Sequence, residues 1–253
     1  MRRFACQFLV SALAFAGEPL AYQEGATPLA GYLALPKGKA KAPGVVVIHQ
    51  WMGPTGHEKE TADRLADLGY AALVADIYGA GVRPKSAQEA GGLAGKYKGD
   101  RALFQARIKA AVDALKARKE VEGANLAVIG FCFGGTGALE AARGGLPVKA
   151  VVSFHGGLDS PADRPVQPIA AKVLVCHGAD DPWVPAKEVA AFQDEMRKAK
   201  ADYAFIAYAG AVHAFTQKEA GDDPSKGAAY QAAAARRSWG HMQQFLQEVL
   251  GGK

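Results

Sequence analysis

Three cysteines among 253 residues are too few for a disulfide framework. None of them pairs with another as C-x-x-C, so the thioredoxin-like redox motif is missing. No H-E-x-x-H or similar metal-ligand spacing occurs among the six histidines, and no metal is expected. No run of Lys or Arg exceeds two residues and the net charge is only +5, so nucleic acid is not an expected partner. No apolar stretch approaches the roughly 20 residues that cross a bilayer. The chain shows neither an internal repeat nor a linker.

What is present points to a covered sheet. Hydrophobic residues make up 49% of the chain, enough for a buried core, and 30 glycines supply tight turns. The N-terminus has the form of a removable targeting segment. Arg2 and Arg3 precede an apolar stretch, residues 4–16, that ends in the small-x-small triplet Ala14-Phe15-Ala16. Residues 1–16 are therefore expected to be a signal peptide and residues 17–253 a single domain. The product is expected to be periplasmic or secreted, with a cytoplasmic location as the alternative. It is expected to be a monomer without stable membrane association after processing.

The pattern along the chain alternates. Strands are predicted at 19–23, 29–35, 44–49, 71–75, 126–129, 148–154, 173–177 and 203–208, the first two forming a hairpin. Helices are predicted at 56–68, 100–118, 134–143, 185–198 and 230–250, with the Ala-rich stretch 228–235 opening the last. The segments 80–99 and 156–168 read as loops. Continuous β-branched strands separated by helices imply an α/β fold, a mostly parallel sheet covered on both faces. In such sheets the ligand site lies beyond the carboxyl ends of the strands.

Chemistry-bearing residues follow those ends. Gly130-Phe131-Cys132-Phe133-Gly134-Gly135 has the G-x-Nu-x-G form of a nucleophile elbow, with cysteine as nucleophile. A strained turn of this kind needs glycine at its flanks. It also sets the sulfur at a helix N-terminus, where the dipole favours a thiolate. A lone cysteine is more often an inert core residue; here partners follow in the order nucleophile, acid, base. Asp181, in Asp180-Asp181-Pro182-Trp183-Val184-Pro185, is the expected acid, with Asp180 as its competitor. His213, after the last strand, is the expected base. The backbone N–H groups of Phe133 and of Trp51, in the loop His49-Gln50-Trp51-Met52-Gly53, are the expected oxyanion donors. His49, Gln50, Tyr78, Arg83, Trp183, Phe215 and Gln217 are the candidate pocket residues. His155 also follows a strand, His177 precedes the acid, and His57 and His241 fall in helices with partial exposure.

These motifs, with Gly69-Tyr70-Ala71-Ala72, Asp76-Ile77-Tyr78-Gly79, His213-Ala214-Phe215-Thr216 and Arg237-Ser238-Trp239, resemble the dienelactone hydrolase family from about residue 19 onward. The resemblance implies the α/β-hydrolase fold, a Cys-Asp-His triad at Cys132, Asp181 and His213, and no cofactor. It implies hydrolysis of an enol-lactone or related ester, of the carboxymethylenebutenolidase type. Two positions depart from the family pattern. Gln50 stands where members acting on dienelactone carry a glutamate that takes part in thiol activation. Gln217 stands where one of two carboxylate-binding arginines is expected, leaving Arg83 as the other. A bidentate arginine contact is a large part of carboxylate recognition, so a neutral or less charged ester or lactone is the expected substrate. Two other functions compete: a non-catalytic binding protein on the same scaffold, and a redox role pairing Cys132 with Cys176.

Overall fold

The computed structural model describes residues 15–251. The expected targeting segment, residues 1–16, lies almost wholly outside the described residues. Strands β1 (Glu18–Glu24) and β2 (Thr27–Ala34) form an antiparallel hairpin turned at Gly25, which has a positive φ. The strands β3 (Ala42–Ile48), β4 (Ala71–Ala75), β5 (Val121–Phe131), β6 (Ala150–Phe154), β7 (Lys172–Gly178) and β8 (Tyr203–Tyr208) run parallel. The eight-stranded order is β1-β2-β4-β3-β5-β6-β7-β8, with β2 antiparallel to β4.

Both faces are covered, which is why the strands are apolar on every residue rather than on alternate ones. Val45, Val47, Val74, Ile129 and Val152 point to the face covered by α1 (Gly56–Asp67) and α6 (Ala232–Leu250), where Leu65, Met242 and Leu246 meet them. Val46, Ile48, Leu73, Val128, Val151 and Val173 point to the other face. There they pack against α2 (Ala87–Gly99), α3 (Arg101–Lys116), α4 (Phe133–Arg143) and α5 (Ala186–Lys198). The chain leaves β3 towards β4 and later returns to β5 on the other side of β3. That reversal opens a crevice at the carboxyl ends of β3 and β5.

Most predicted elements lie within a few residues of the observed ones. Helix α2 is the exception, because it forms within 80–99, a segment whose sequence predicts loop. Gly91, Gly92, Gly95 and Gly99 weaken its local helix preference by up to about 1 kcal/mol each. Ser86 caps it by accepting from the Glu89 N–H at 3.2 Å, and burial of Ala90, Ala94 and Tyr97 holds it down. Two other boundaries move. Strand β5 starts at Val121, and α6 starts at Ala232, leaving residues 228–231 outside the helix.

Candidate active site

Strand β5 ends at Phe131 and α4 begins at Phe133, with Cys132 between them at φ 54°, ψ −114°. This is a backbone region costly for any residue with a side chain, about 1–3 kcal/mol. The glycines at the flanks make the turn feasible. A Cβ on Gly130 would run into the backbone of Gly134, and one on Gly134 would meet the carbonyls of Ile48 and His49. The turn leaves Cys132 partly exposed at the positive end of α4.

The loop after β8 brings His213 over this sulfur. Its Nε2 lies 3.0 Å from Cys132 Sγ and its Nδ1 lies 2.8 Å from Asp181 Oδ2. The other oxygen of Asp181 accepts from the Trp183 N–H at 2.9 Å. Asp180 is occupied differently, accepting from the Gly210 N–H at 3.0 Å on the surface. Residues 227–229, of which Ala228 and Ala229 begin the Ala-rich stretch expected to open the last helix, instead pin the His213 backbone. Its N–H donates to Gly227 O at 3.1 Å and its carbonyl accepts from the Ala229 N–H at 3.0 Å. Burial would lower the His213 pKa. Hydrogen bonds to Asp181 and Cys132 and the charges of both override it, raising the value to about 9. Trp183 covers the ring, with centroids 4.8 Å apart.

Facing the sulfur from the other side is the loop after β3. The Trp51 carbonyl accepts from the Tyr78 hydroxyl at 2.8 Å, and the Gln50 side chain folds back so that Oε1 accepts from the Met52 N–H at 2.9 Å. Glu58 completes this clamp. Its fully buried carboxylate accepts from the Gln50 N–H at 3.3 Å, the Thr55 N–H at 2.8 Å and the Thr55 hydroxyl at 2.6 Å. Phe133 is the first residue of α4, so its N–H has no partner four residues back in the helix. Glu58 was not singled out from the sequence, although Thr55-Gly56-His57-Glu58 has the capping-box form that announces it.

A cavity of about 890 Å³ opens above Cys132. Of the expected pocket residues, Gln50, Trp183 and Gln217 line it, as do Trp51, Phe133, Cys132 and His213. His49, Tyr78, Arg83 and Phe215 do not, and each is drawn away by a better partner. His49 is fully buried, its Nδ1–H donating to Gln50 O at 2.6 Å and its Nε2 accepting from the Ile77 N–H at 3.2 Å. Burial lowers its pKa. Tyr78 packs behind the wall, edge-on to His49 and tilted against Phe133. Arg83 is spent on Asp76, 3.3 Å away, and on the carbonyls of Gly79 and Val82. Phe215 is core, packed against Tyr208 and His155. Apart from His213, the charged residues on the lining are Lys98, from the unforeseen α2, and Glu219.

His155 sits behind the site, fully buried. His177 is buried beneath the acid loop and its pKa is lowered by burial. Partial exposure holds for His57, which borders the cavity, and for His241, which pairs with the Tyr208 hydroxyl at 2.8 Å. Cys176 is free, fully buried, and its thiol is pushed up to about 12 by burial, so it has little thiolate character. Among the described residues no group of three or more His, Cys, Asp or Glu side chains is arranged to hold a metal, and no helix is long and apolar enough to cross a membrane.

Comparison with known proteins identifies the family and the fold. Residues 29–250 match the model of the dienelactone hydrolase family. A Bradyrhizobium protein named "Probable 2-oxo-3-(5-oxofuran-2-ylidene)propanoate lactonase" is 32% identical over 232 residues, covering 88% of this chain and 90% of that protein. A solved dienelactone hydrolase-like promiscuous phosphotriesterase from metagenomic libraries is 43% identical, with a TM-score of 0.86 over 92% of this chain and 98% of that one. A solved dienelactone hydrolase from Anabaena variabilis, 21% identical, shares the fold with a TM-score of 0.67 over 92% of this chain and 98% of that one.

Proposed function

The chain belongs to the dienelactone hydrolase family of carboxylic ester hydrolases, and from that premise we propose that it cleaves small esters or lactones through a Cys132-His213-Asp181 triad and a thioester intermediate. The observation that carries this reading is one chain of contacts: Cys132 Sγ 3.0 Å from His213 Nε2, and His213 Nδ1 2.8 Å from Asp181 Oδ2. His213 takes the thiol proton, and the thiolate attacks the acyl carbon. The oxyanion is held by the N–H groups of Phe133 and Trp51. Imidazolium returns the proton to the leaving alkoxide, giving the acylated Cys132. Water then adds with neutral His213 as base, and the thiolate leaves with release of the acid.

Gln50 cannot take or give the proton as a glutamate would, and its side chain is already committed to the Met52 N–H. A resting thiolate–imidazolium pair is therefore the proposed activation, supported by the raised pKa of His213. The lining favours a neutral or singly charged substrate. Arg83 is held by Asp76, Gln217 is uncharged, and Trp51, Met52, Trp183 and Val184 offer apolar walls. The similarity to the promiscuous phosphotriesterase favours a second reaction at the same thiolate, cleavage of neutral phosphotriesters.

The test is turnover of short p-nitrophenyl esters, simple lactones and a p-nitrophenyl phosphotriester. Ester turnover is expected to fall by at least about 10³-fold in Cys132→Ala and after iodoacetamide. Thiolate absorbance in the substrate-free enzyme at neutral pH supports the resting pair, and its absence there overturns it. Turnover that survives in Cys132→Ala overturns the triad. Tight ligand binding with no turnover on any ester points instead to a binding protein.

A further inference from the structure

His155 is the buried titratable group nearest the reacting pair that the mechanism leaves unused. It follows β6, is fully buried, and sits at φ 40°, a region few residues other than glycine occupy. Its ring touches both halves of the site. Nδ1 lies 3.2 Å from the backbone N of Cys132, whose N–H is shared with Phe154 O at 3.0 Å. Nε2 lies 2.8 Å from Thr216 Oγ1, three residues beyond His213. The ring also packs edge-on against His213 at 5.3 Å and against Phe215 at 5.1 Å.

These contacts specify a single protonation state. The Cys132 N–H is a donor, so Nδ1 must accept, the proton must lie on Nε2, and Nε2–H donates to the Thr216 hydroxyl. A doubly protonated ring would set donor against donor at Cys132 and a cation beside imidazolium. The titratable groups around it are His213 on the loop after β8, Cys132 at the elbow and His57 on α1. Burial, with the positive charges of His213 and His57, holds its pKa well below the ordinary value.

We infer that neutral His155 is a positioning residue: it ties the backbone of Cys132 to the His213 loop and so sets the sulfur-to-imidazole separation. The inference rests on the triad proposed above. A displacement of about 1 Å between reacting groups costs on the order of 10²-fold in rate, so the clamp acts on the chemical step while leaving substrate binding alone.

The experiment compares kcat, KM and the pH midpoint of thiolate absorbance in the full-length protein and four variants. His155→Phe keeps a ring but loses both hydrogen bonds. It is expected to lower kcat by about 10- to 100-fold with KM within about threefold. The thiolate midpoint is expected to rise, as the imidazole partner drifts away. His155→Asn, whose Oδ1 can accept from Cys132, is expected to recover part of both. Thr216→Val, which loses one bond, is expected to lower kcat by about three- to tenfold. Folded His155→Phe with wild-type kcat and midpoint overturns the inference. If His155→Phe does not fold, Thr216→Val decides: wild-type kcat there overturns the inference, and the expected loss with an unchanged KM supports it. Cys132→Ala separates the two levels. If it retains turnover, the triad and the inference fall together, whereas an inactive Cys132→Ala beside an unaffected His155→Phe removes only the inference.

Discussion

Two buried carboxylates, Glu140 and Asp181, are answered in opposite ways. Glu140, in α4, accepts from Gln105 at 3.0 Å, from Arg143 at 3.2 Å and from both terminal nitrogens of Arg164 at 2.9 and 3.0 Å, with Arg101 at 3.5 Å. Every lone pair is met by a permanent cation or an amide. Arg143 is itself gripped by Glu195 and by the carbonyls of Leu158 and Asp159. Asp181 has one backbone N–H and one imidazole, and the imidazole's far nitrogen faces a thiol that opens onto a cavity. A saturated charge network locks three helices and a loop. A charge whose only side-chain partner can itself give up a proton is equipped for transfer.

The contrast is broken most severely at Asp181. Asp181→Asn is expected to lower kcat/KM by about 10²- to 10⁴-fold with little change in melting temperature. The pH profile carries the sign. His213 is raised to about 9, so the stability its contacts contribute is full below about 6.5 and is lost as pH climbs through 9. Removing the Asp181 charge is expected to move the alkaline limb of residual kcat/KM to lower pH; a limb that stays near 9 separates Asp181 from His213.

Glu140→Ala is expected to do the reverse. Leaving three guanidinium groups around an empty site should cost about 3–5 kcal/mol. This is read as a lower urea midpoint at unchanged slope, with kcat per folded molecule within about twofold of wild type. A large loss of kcat at full stability would join the two networks functionally.

The smallest effect is expected where the two regions meet. Lys98 lines the cavity and lies 3.7 Å from Asp159, which Arg101 already holds at 2.6 Å. Lys98→Met is expected to reduce kcat/KM for a p-nitrophenyl hemiglutarate by about three- to tenfold while leaving the butyrate unchanged. High salt should erase the difference, because the side chain is partly exposed and screened. Equal effects on both esters would remove Lys98 from substrate discrimination.

How much could be read without coordinates depended on how local the cause was. The elbow is a short-range steric device, so Gly130, Cys132 and Gly134 announce it. Glu58 was equally local, a capping box at α1, and was legible in principle. Helix α2 was not, because four glycines argue against a helix that the burial of Tyr97 and Ala94 secures. The directions of His49, Tyr78, Arg83 and Phe215 were also beyond reach. Following a strand end places a residue near the site, but the Gln50 carbonyl, the Trp51 carbonyl, Asp76 and the core decide where each side chain goes.

The amino-acid pattern alone determined the parallel covered sheet, the cysteine in its strained turn, and the order of candidate nucleophile, acid and base. Those follow from periodicity, from glycine's missing Cβ and from chain order. The tertiary structure shows that Asp181, the acid favoured by its motif position, rather than Asp180 meets His213, and it alone decided that Arg83 is withdrawn from the cavity and that Lys98 and His155 stand at the site. Each of these depends on contacts between segments distant in sequence, where geometry selects among residues whose local chemistry is the same.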